Sequence, residues 1–144
     1  MKIAILTQPL MHNYGGLLQA YALQKYLKDM GHEVLTVDLR YARPKLCGLR
    51  GKIRNIIYRI FLNRKVKNVH TDRFINDNIK KTEPIYPDSD FEELKNLQFD
   101  AYVVGSDQVW RPEYSPKIEA YFLSFLEKKS KHEKNIIFRL VWSR

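Results

Sequence analysis

The chain has 144 residues, 44% of them hydrophobic, and a net charge of +9, which is enough apolar material for one buried core and too much for a disordered chain. No apolar run approaches the roughly 18 residues of a membrane-spanning helix, and Ile3 to Leu6 is too short for a signal-peptide core, so a cytoplasmic location is expected. The single cysteine, Cys47, excludes an internal disulfide, and His12, His32, His70 and His132 show no metal-ligand spacing, so no metal or resident cofactor is expected.

Lys2 to Thr7 holds four consecutive apolar residues, the pattern of a strand covered on both faces. A loop from Gln8 to Gly16 leads to a helix expected from about Leu17 to Met30 and stopped by Gly31. Ala20, Leu23, Leu27 and Met30 recur at helical spacing, while Leu17, Leu18, Tyr21 and Ala22 widen the apolar face enough to predict burial on more than one side. Glu33 to Leu39, with Val34, Leu35 and Val37, reads as a second strand. Strand, helix and strand within about forty residues make a βαβ unit, which crosses over right-handed and lays its strands parallel.

The loop at the end of the first strand lacks the G-x-G-x-x-G pattern, which disfavours a dinucleotide. The free N–H groups of a helix start still attract an anion or a polyol, and Gly15 and Gly16 permit close backbone approach. Asn13 also reads simply as a helix cap, and His12 as an ordinary surface histidine.

Between Arg40 and Lys81 stand thirteen Lys or Arg against two acids, Asp72 and Asp77, so the remainder of the chain is slightly acidic. Such a block points to an anionic neighbour: a membrane surface, a phosphorylated substrate or nucleic acid. Within it, Leu49, Ile53, Ile56, Ile57, Ile60 and Phe61 fall on one helical stripe, and Arg50, Lys52, Arg54, Arg59 and Arg64 fall largely off it. This basic amphipathic helix suits an anionic membrane surface; packing on its own domain with a solvated cationic face accounts for the same pattern. No nucleic-acid module or aromatic stacking platform accompanies the charge, so nucleic acid is not expected as a partner. A second helix follows at about His70 to Ile79, then an extended, proline-interrupted stretch from Thr82 to Pro87 and a short helix from Asp88 to Leu97.

Ala101 to Trp110 reads as a buried strand running into a ligand loop. Tyr102, Val103 and Val104 form the strand, and Gly105 ends it where the backbone turns or approaches something closely. Ser106, Asp107 and Gln108 then place a hydroxyl, a carboxylate and an amide at the sheet edge, with Trp110 as a flat apolar wall. A capped turn with Trp110 in the core fits the same residues. Asn13 and Tyr14 are expected at the same edge as Ser106 and Asp107. Beyond Pro112 and Pro116, Ile118 to Leu126 is expected as one short helix or strand, packed through Tyr121, Phe122, Phe125 and Leu126.

Four pieces of the chain together resemble the amino-terminal part of the polysaccharide pyruvyl transferase family: the strand Lys2 to Thr7, the turn His12-Asn13-Tyr14-Gly15 with Leu18 to Leu23 behind it, Phe99 to Trp110, and Tyr121-Phe122-Leu123. The resemblance covers about residues 1 to 127, and the basic middle is not diagnostic of it. It implies an α/β fold, a Rossmann-like open parallel sheet flanked by helices, like the N-terminal lobe of a two-domain GT-B-like transferase, here truncated. It implies transfer of pyruvate, as a ketal, from the co-substrate phosphoenolpyruvate to a sugar of a cell-surface or exopolysaccharide precursor. The partners it implies are phosphoenolpyruvate and a polysaccharide or lipid-linked sugar, with peripheral placement at the inner face of the membrane as a further option. The residues placed at the substrate are Asn13, Tyr14, Gly15, Gly16, Gln19, Gly105, Ser106, Asp107, Gln108 and Trp110, and no catalytic residue is assigned. In the family the donor-holding cations and the acid lie in the second lobe, so this chain by itself is expected to be weak or inactive. A sugar-nucleotide glycosyltransferase on the same fold and a membrane-binding module are the alternative readings.

The domain reading is a lobe over residues 1–134 with a basic helical insertion at about 43–81. Residues 135–144 depart from the family's next strand and form an apolar terminus with no evident partner. Their permitted codons allow a plus-one frame close to that strand, so a frameshift near Lys134 and an off-frame tail are expected.

Overall fold

The computed structural model describes residues 1–11, 13–42, 69–87, 91, 94, 96–126 and 136–139. Four parallel strands form its sheet: β1 (Lys2–Leu6), β2 (Glu33–Thr36), β3 (Ala101–Val104) and β4 (Ile136–Arg139), in the spatial order β2-β1-β3-β4. Ile3 pairs with Val34 on one side and Ala101 on the other, so β1 is central. Both faces of β1 are covered, which is why four successive residues are apolar. Ala4 and Leu6 join Tyr102 and Val104 in one core with Leu94, Val109 and Tyr121. Ile3 and Ile5 join Val34, Ala101 and Val103 in a second core, closed by Leu23 and Leu27 of the first helix.

That helix, α1 (Tyr14–Asp29), begins three residues before the expected Leu17, because the Asn13 side chain accepts a hydrogen bond from the Gly16 N–H at 3.2 Å and starts the first turn early. It ends in a Schellman motif: Gly31, at φ 85°, donates to Lys28 O, and His32 donates to Leu27 O. The expectation of broad burial holds only in part. Leu17 and Ala20 are buried, but Tyr14, Leu18, Ala22, Tyr26 and Met30, spaced by four, form an exposed ridge. The sheet and the second described helix, α2 (Val69–Asn78), take the other sides of α1, through Leu10, Leu17, Ala20, Ile75 and Ile79.

β2 is shorter than expected, but its direction continues through Asp38 and Leu39. There a segment from Lys81 to Ile85 runs parallel to it, bridged at Thr36 to Lys81 and at Leu39 to Ile85. Pro84 interrupts this ribbon, which suits an edge position where one N–H can be dispensed with. Counting the ribbon, the chain order across the sheet is third, second, first, fourth, fifth, the doubly wound pattern of nucleotide-binding folds. Gln24, buried on α1, pins this side: its amide nitrogen donates to Thr36 Oγ1 at 2.9 Å and to Lys80 O, and its Oε1 accepts from Lys80 N.

After β3 the chain makes two 3-10 turns, Asp107–Trp110 and Pro112–Tyr114, and a helical turn, α3 (Ile118–Tyr121). The stretch from Ile118 to Leu126 is not one element. Leu123, at φ 57°, breaks it, and a 3-10 turn at Ser124–Leu126 follows. β4 pairs in parallel with β3, Ala101 opposite Ile136 through Val104 opposite Arg139. The predicted basic amphipathic helix lies outside the described residues. Among those that are described, no helix is long and apolar enough to cross a membrane.

Candidate functional site

The connection leaving β1 goes to β2 on one side, and β3 enters on the other. The carboxyl ends of β1 and β3 are therefore the topological switch point, the position where open α/β sheets bind ligands in a crevice, and the loops leaving these two strands are its rims. Its floor is tight. Gly105 donates its N–H to Leu6 O at 2.9 Å, and a Cβ on Gly105 would meet Leu23 Cδ2 at 3.1 Å. The close approach that Gly105 permits is thus packing of α1 on the strand end.

One rim is the loop from Thr7 to Asn13. Asn13 caps α1 through Gly16 and donates to Gln8 Oε1 at 3.2 Å. A Cβ on Gly16 would stand 3.4 Å from Gln8 Oε1 and 3.5 Å from Asn13 Cγ, while Gly15 would face Asn13 Oδ1 at 3.5 Å. The cap and the two glycines form one compact, exposed turn. Gln19 is exposed on α1. Tyr14 is also exposed, but its ring lines a groove of about 230 Å³ with Leu17, Leu18, His70, Thr71 and Phe74, on the α2 side of α1. Tyr14 thus borders α2 through this groove. His12 lies outside the described residues.

The opposite rim starts at Ser106, which is buried and sits at φ 83°, ψ 130°, a backbone region L-residues rarely enter. Such positions cost on the order of 1–3 kcal/mol and collect at functional sites. Ser106 Oγ accepts from the Gln108 N–H at 3.3 Å and so caps the 3-10 turn that Asp107 opens. The capped-turn and ligand-loop readings of this stretch are therefore compatible: the cap is what presents the turn. Trp110, half-buried, meets Phe122 edge to face at 5.0 Å, and Phe122 is 64% exposed. Replacing Ser106 by Gly relieves the strained φ while keeping the turn. The expected result in a thermal melt is a Tm equal to or above that of the parent, with weaker ligand binding. A drop of several degrees would show that the serine cap outweighs the strain.

Three residues at this edge were not among the site residues of the sequence reading, which named Tyr121 only for packing and as part of the family motif. Tyr121 is buried and donates its hydroxyl to Thr7 O at 3.1 Å, joining α3 to the end of β1. Burial, and then the nearby Tyr41, push its pKa well above the ordinary tyrosine value. Tyr41, past the end of β2, donates to Tyr114 O at 3.1 Å. Asp38 is fully buried at the end of β2, and its carboxylate receives Arg40 Nε at 2.6 Å, Arg40 Nη2 at 2.8 Å and Lys81 Nζ at 2.9 Å. Burial raises the Asp38 pKa, but the hydrogen bonds from Arg40 and Lys81 outweigh it, and the net shift is downward. An acid at the end of β2 is where dinucleotide enzymes hold a ribose. Here that acid is enclosed and committed to two cations, which agrees with the missing glycine pattern. The sequence signal for it was an acid between the apolar Val37 and Leu39 at the end of the predicted strand.

The family model described as polysaccharide pyruvyl transferase matches residues 13–138, most of the chain. The chain belongs to the polysaccharide pyruvyl transferase family. No curated protein and no solved structure matches it. The family match spans both rims of the crevice, from Asn13 to beyond Trp110, and reaches β4. It is a family of transferases, and it implies a polysaccharide-type acceptor and a pyruvate donor in general terms. Among the described residues no group of three or more His, Cys, Asp or Glu is placed to hold a metal ion.

Proposed function

We propose that this chain is the acceptor-holding lobe of a polysaccharide pyruvyl transferase, and that the crevice between β1 and β3 receives the sugar. The observation that carries this reading is the strained, buried Ser106 at the topological switch point, inside the family-matched segment. The substrate-facing groups on this reading are Asn13, Gly15, Gly16, Gln19, Ser106, Asp107, Gln108 and Trp110. Tyr14, on α1 beside α2, and Gly105, packed under α1, act from behind them.

The reaction is ketal formation. Two acceptor hydroxyls each lose a proton and form a C–O bond to the central carbon of phosphoenolpyruvate, the bond from that carbon to the phosphate oxygen breaks, the methylene carbon gains one proton, and the other balances the departing phosphate. Phosphate leaves. The chemistry asks for an acid at the methylene, cations at phosphate and carboxylate, and aligned acceptor hydroxyls. The described rims offer hydroxyl, amide and ring groups suited to the last of these. Arg40 and Lys81 are held by Asp38. We therefore assign acceptor alignment to this chain, and the donor's charges to groups other than these two.

The test mixes the chain with unpyruvylated polysaccharide fragments and phosphoenolpyruvate. Saccharide binding is followed by calorimetry, and ketal and inorganic phosphate by mass spectrometry and a colorimetric assay. The expected result is binding of the unpyruvylated saccharide, with phosphate release by the chain alone at background. Sustained acceptor-dependent release would overturn the division of labour, and a chain indifferent to every saccharide would overturn the acceptor role.

A further inference from the structure

The rings at the carboxyl edge of the sheet are placed in an unusual way for a core this well packed. Phe122 stands between Tyr121 and Leu123, which are 1% and 3% exposed, yet is itself 64% exposed. Its direction is imposed from both sides. Tyr121 is anchored to Thr7 O, and Leu123 turns back into the core only by taking φ 57°, a left-handed conformation that L-residues avoid. The outward ring is supported rather than loose, since Trp110 meets it at 5.0 Å with an interplanar angle of 60°. Trp110 in turn is carried by the turn that Ser106 caps, itself at φ 83°. Two of the four non-glycine residues with positive φ among the described residues thus flank one pair of rings. Tyr41 and Tyr114, 45% and 48% exposed and joined by a hydrogen bond, extend the aromatic character of the same edge.

An exposed ring held in place at a crevice with hydroxyl and amide groups matches the two-sided chemistry of a pyranose. One face of such a sugar carries axial C–H groups that are weakly positive and pack on an aromatic face, while its hydroxyls turn toward polar neighbours. Strain persists where the fold over-determines it, and here it orients a single side chain that contributes little to the core. We propose that Phe122, backed by Trp110, is the stacking platform for a pyranose ring of the acceptor, and so a positioning residue for the transfer. This rests on the acceptor reading given above and deepens it. The ring fixes the plane of the sugar, and the Ser106 and Asn13 rims then meet its hydroxyls. Platforms of this kind tolerate many sugars, so selectivity among acceptors belongs to the rims.

The test uses the whole chain with cellobiose, lactose and maltose as pyranose probes and sorbitol as an open-chain polyol. Saturation-transfer NMR is expected to mark the axial C–H face of a pyranose and leave sorbitol unmarked. Replacing Phe122 by Ala is expected to weaken pyranose binding about tenfold, the scale of one lost stacking contact, with the Tm unchanged because the ring is exposed. Phe122→Trp is expected to restore binding. Unchanged affinity in Phe122→Ala, with affinity lost in Ser106→Gly, would overturn the platform and leave the acceptor role standing. Loss of all saccharide binding in the parent overturns both. If sedimentation shows a parent dimer that Phe122→Ala converts to monomer, the ring belongs to a self-association surface and the proposal is wrong.

Discussion

Replacing Asp38 by Asn is expected to remove about 3 kcal/mol of stability, a fall in Tm of roughly 10 °C for a chain of this length. The carboxylate is fully enclosed and receives three hydrogen bonds from two cations. An amide in its place would point N–H groups at Arg40 and Lys81 and leave both charges without their counter-ion. Asp38 also sets a pH dependence whose sign follows from linkage. Its folded pKa lies below the ordinary value of 3.8, so the unfolded chain binds the proton more readily. Its contribution is fully present above that value and is lost as pH falls through the folded pKa. Chemical denaturation from pH 6 down to pH 2 should show this acid limb in the parent and a shallower one in the variant. A variant within 1 kcal/mol of the parent would mean that Arg40 and Lys81, which retain partial exposure, are satisfied by water.

The second large effect is expected at Tyr121, the largest of the fully buried side chains. Tyr121→Ala should cost about 3–5 kcal/mol through the cavity it leaves. Tyr121→Phe isolates the hydroxyl. It leaves the Thr7 carbonyl without that donor and should cost roughly 1 kcal/mol, with faster amide exchange in the loop after β1 as the local signature. The raised pKa of the phenol adds an alkaline prediction. The fold favours the neutral form, so this stabilisation is complete below pH 10 and is lost as pH rises through the folded pKa. Tyr121→Phe should therefore be less sensitive than the parent above pH 10. Equal alkaline sensitivity would assign the effect to the other tyrosines.

Much of the sheet was legible because its signals are local. Ile3 to Leu6 and Ala101 to Val104 are apolar at successive positions, as only strands covered on both faces are, and they became adjacent parallel strands. Asn13 and Gly31 bounded the first helix through the hydrogen bonds their chemistry predicts. The errors came where neighbours in space, not in sequence, set the outcome. Leu18 and Ala22 look as apolar as Leu17 and Ala20, and only the positions of the sheet and α2 decide which pair is covered. Phe122 reads as a core aromatic between two others, and it is the left-handed Leu123 that turns it outward.

The family membership, the βαβ opening and the two segments that rim the crevice were determined by the sequence alone. They depend on short apolar runs, on glycine and asparagine at turns, and on a motif whose order along the chain is itself the evidence. Tertiary structure decided what those segments do together. It set Ser106 in a strained conformation under Gly105, committed the acid of β2 to Arg40 and Lys81, and anchored Tyr121 on the end of β1. Apart from the local Arg40–Asp38 pair, each of these depends on contacts between residues more than forty positions apart, or on a backbone angle held by its surroundings, and no local pattern of residue types carries that information.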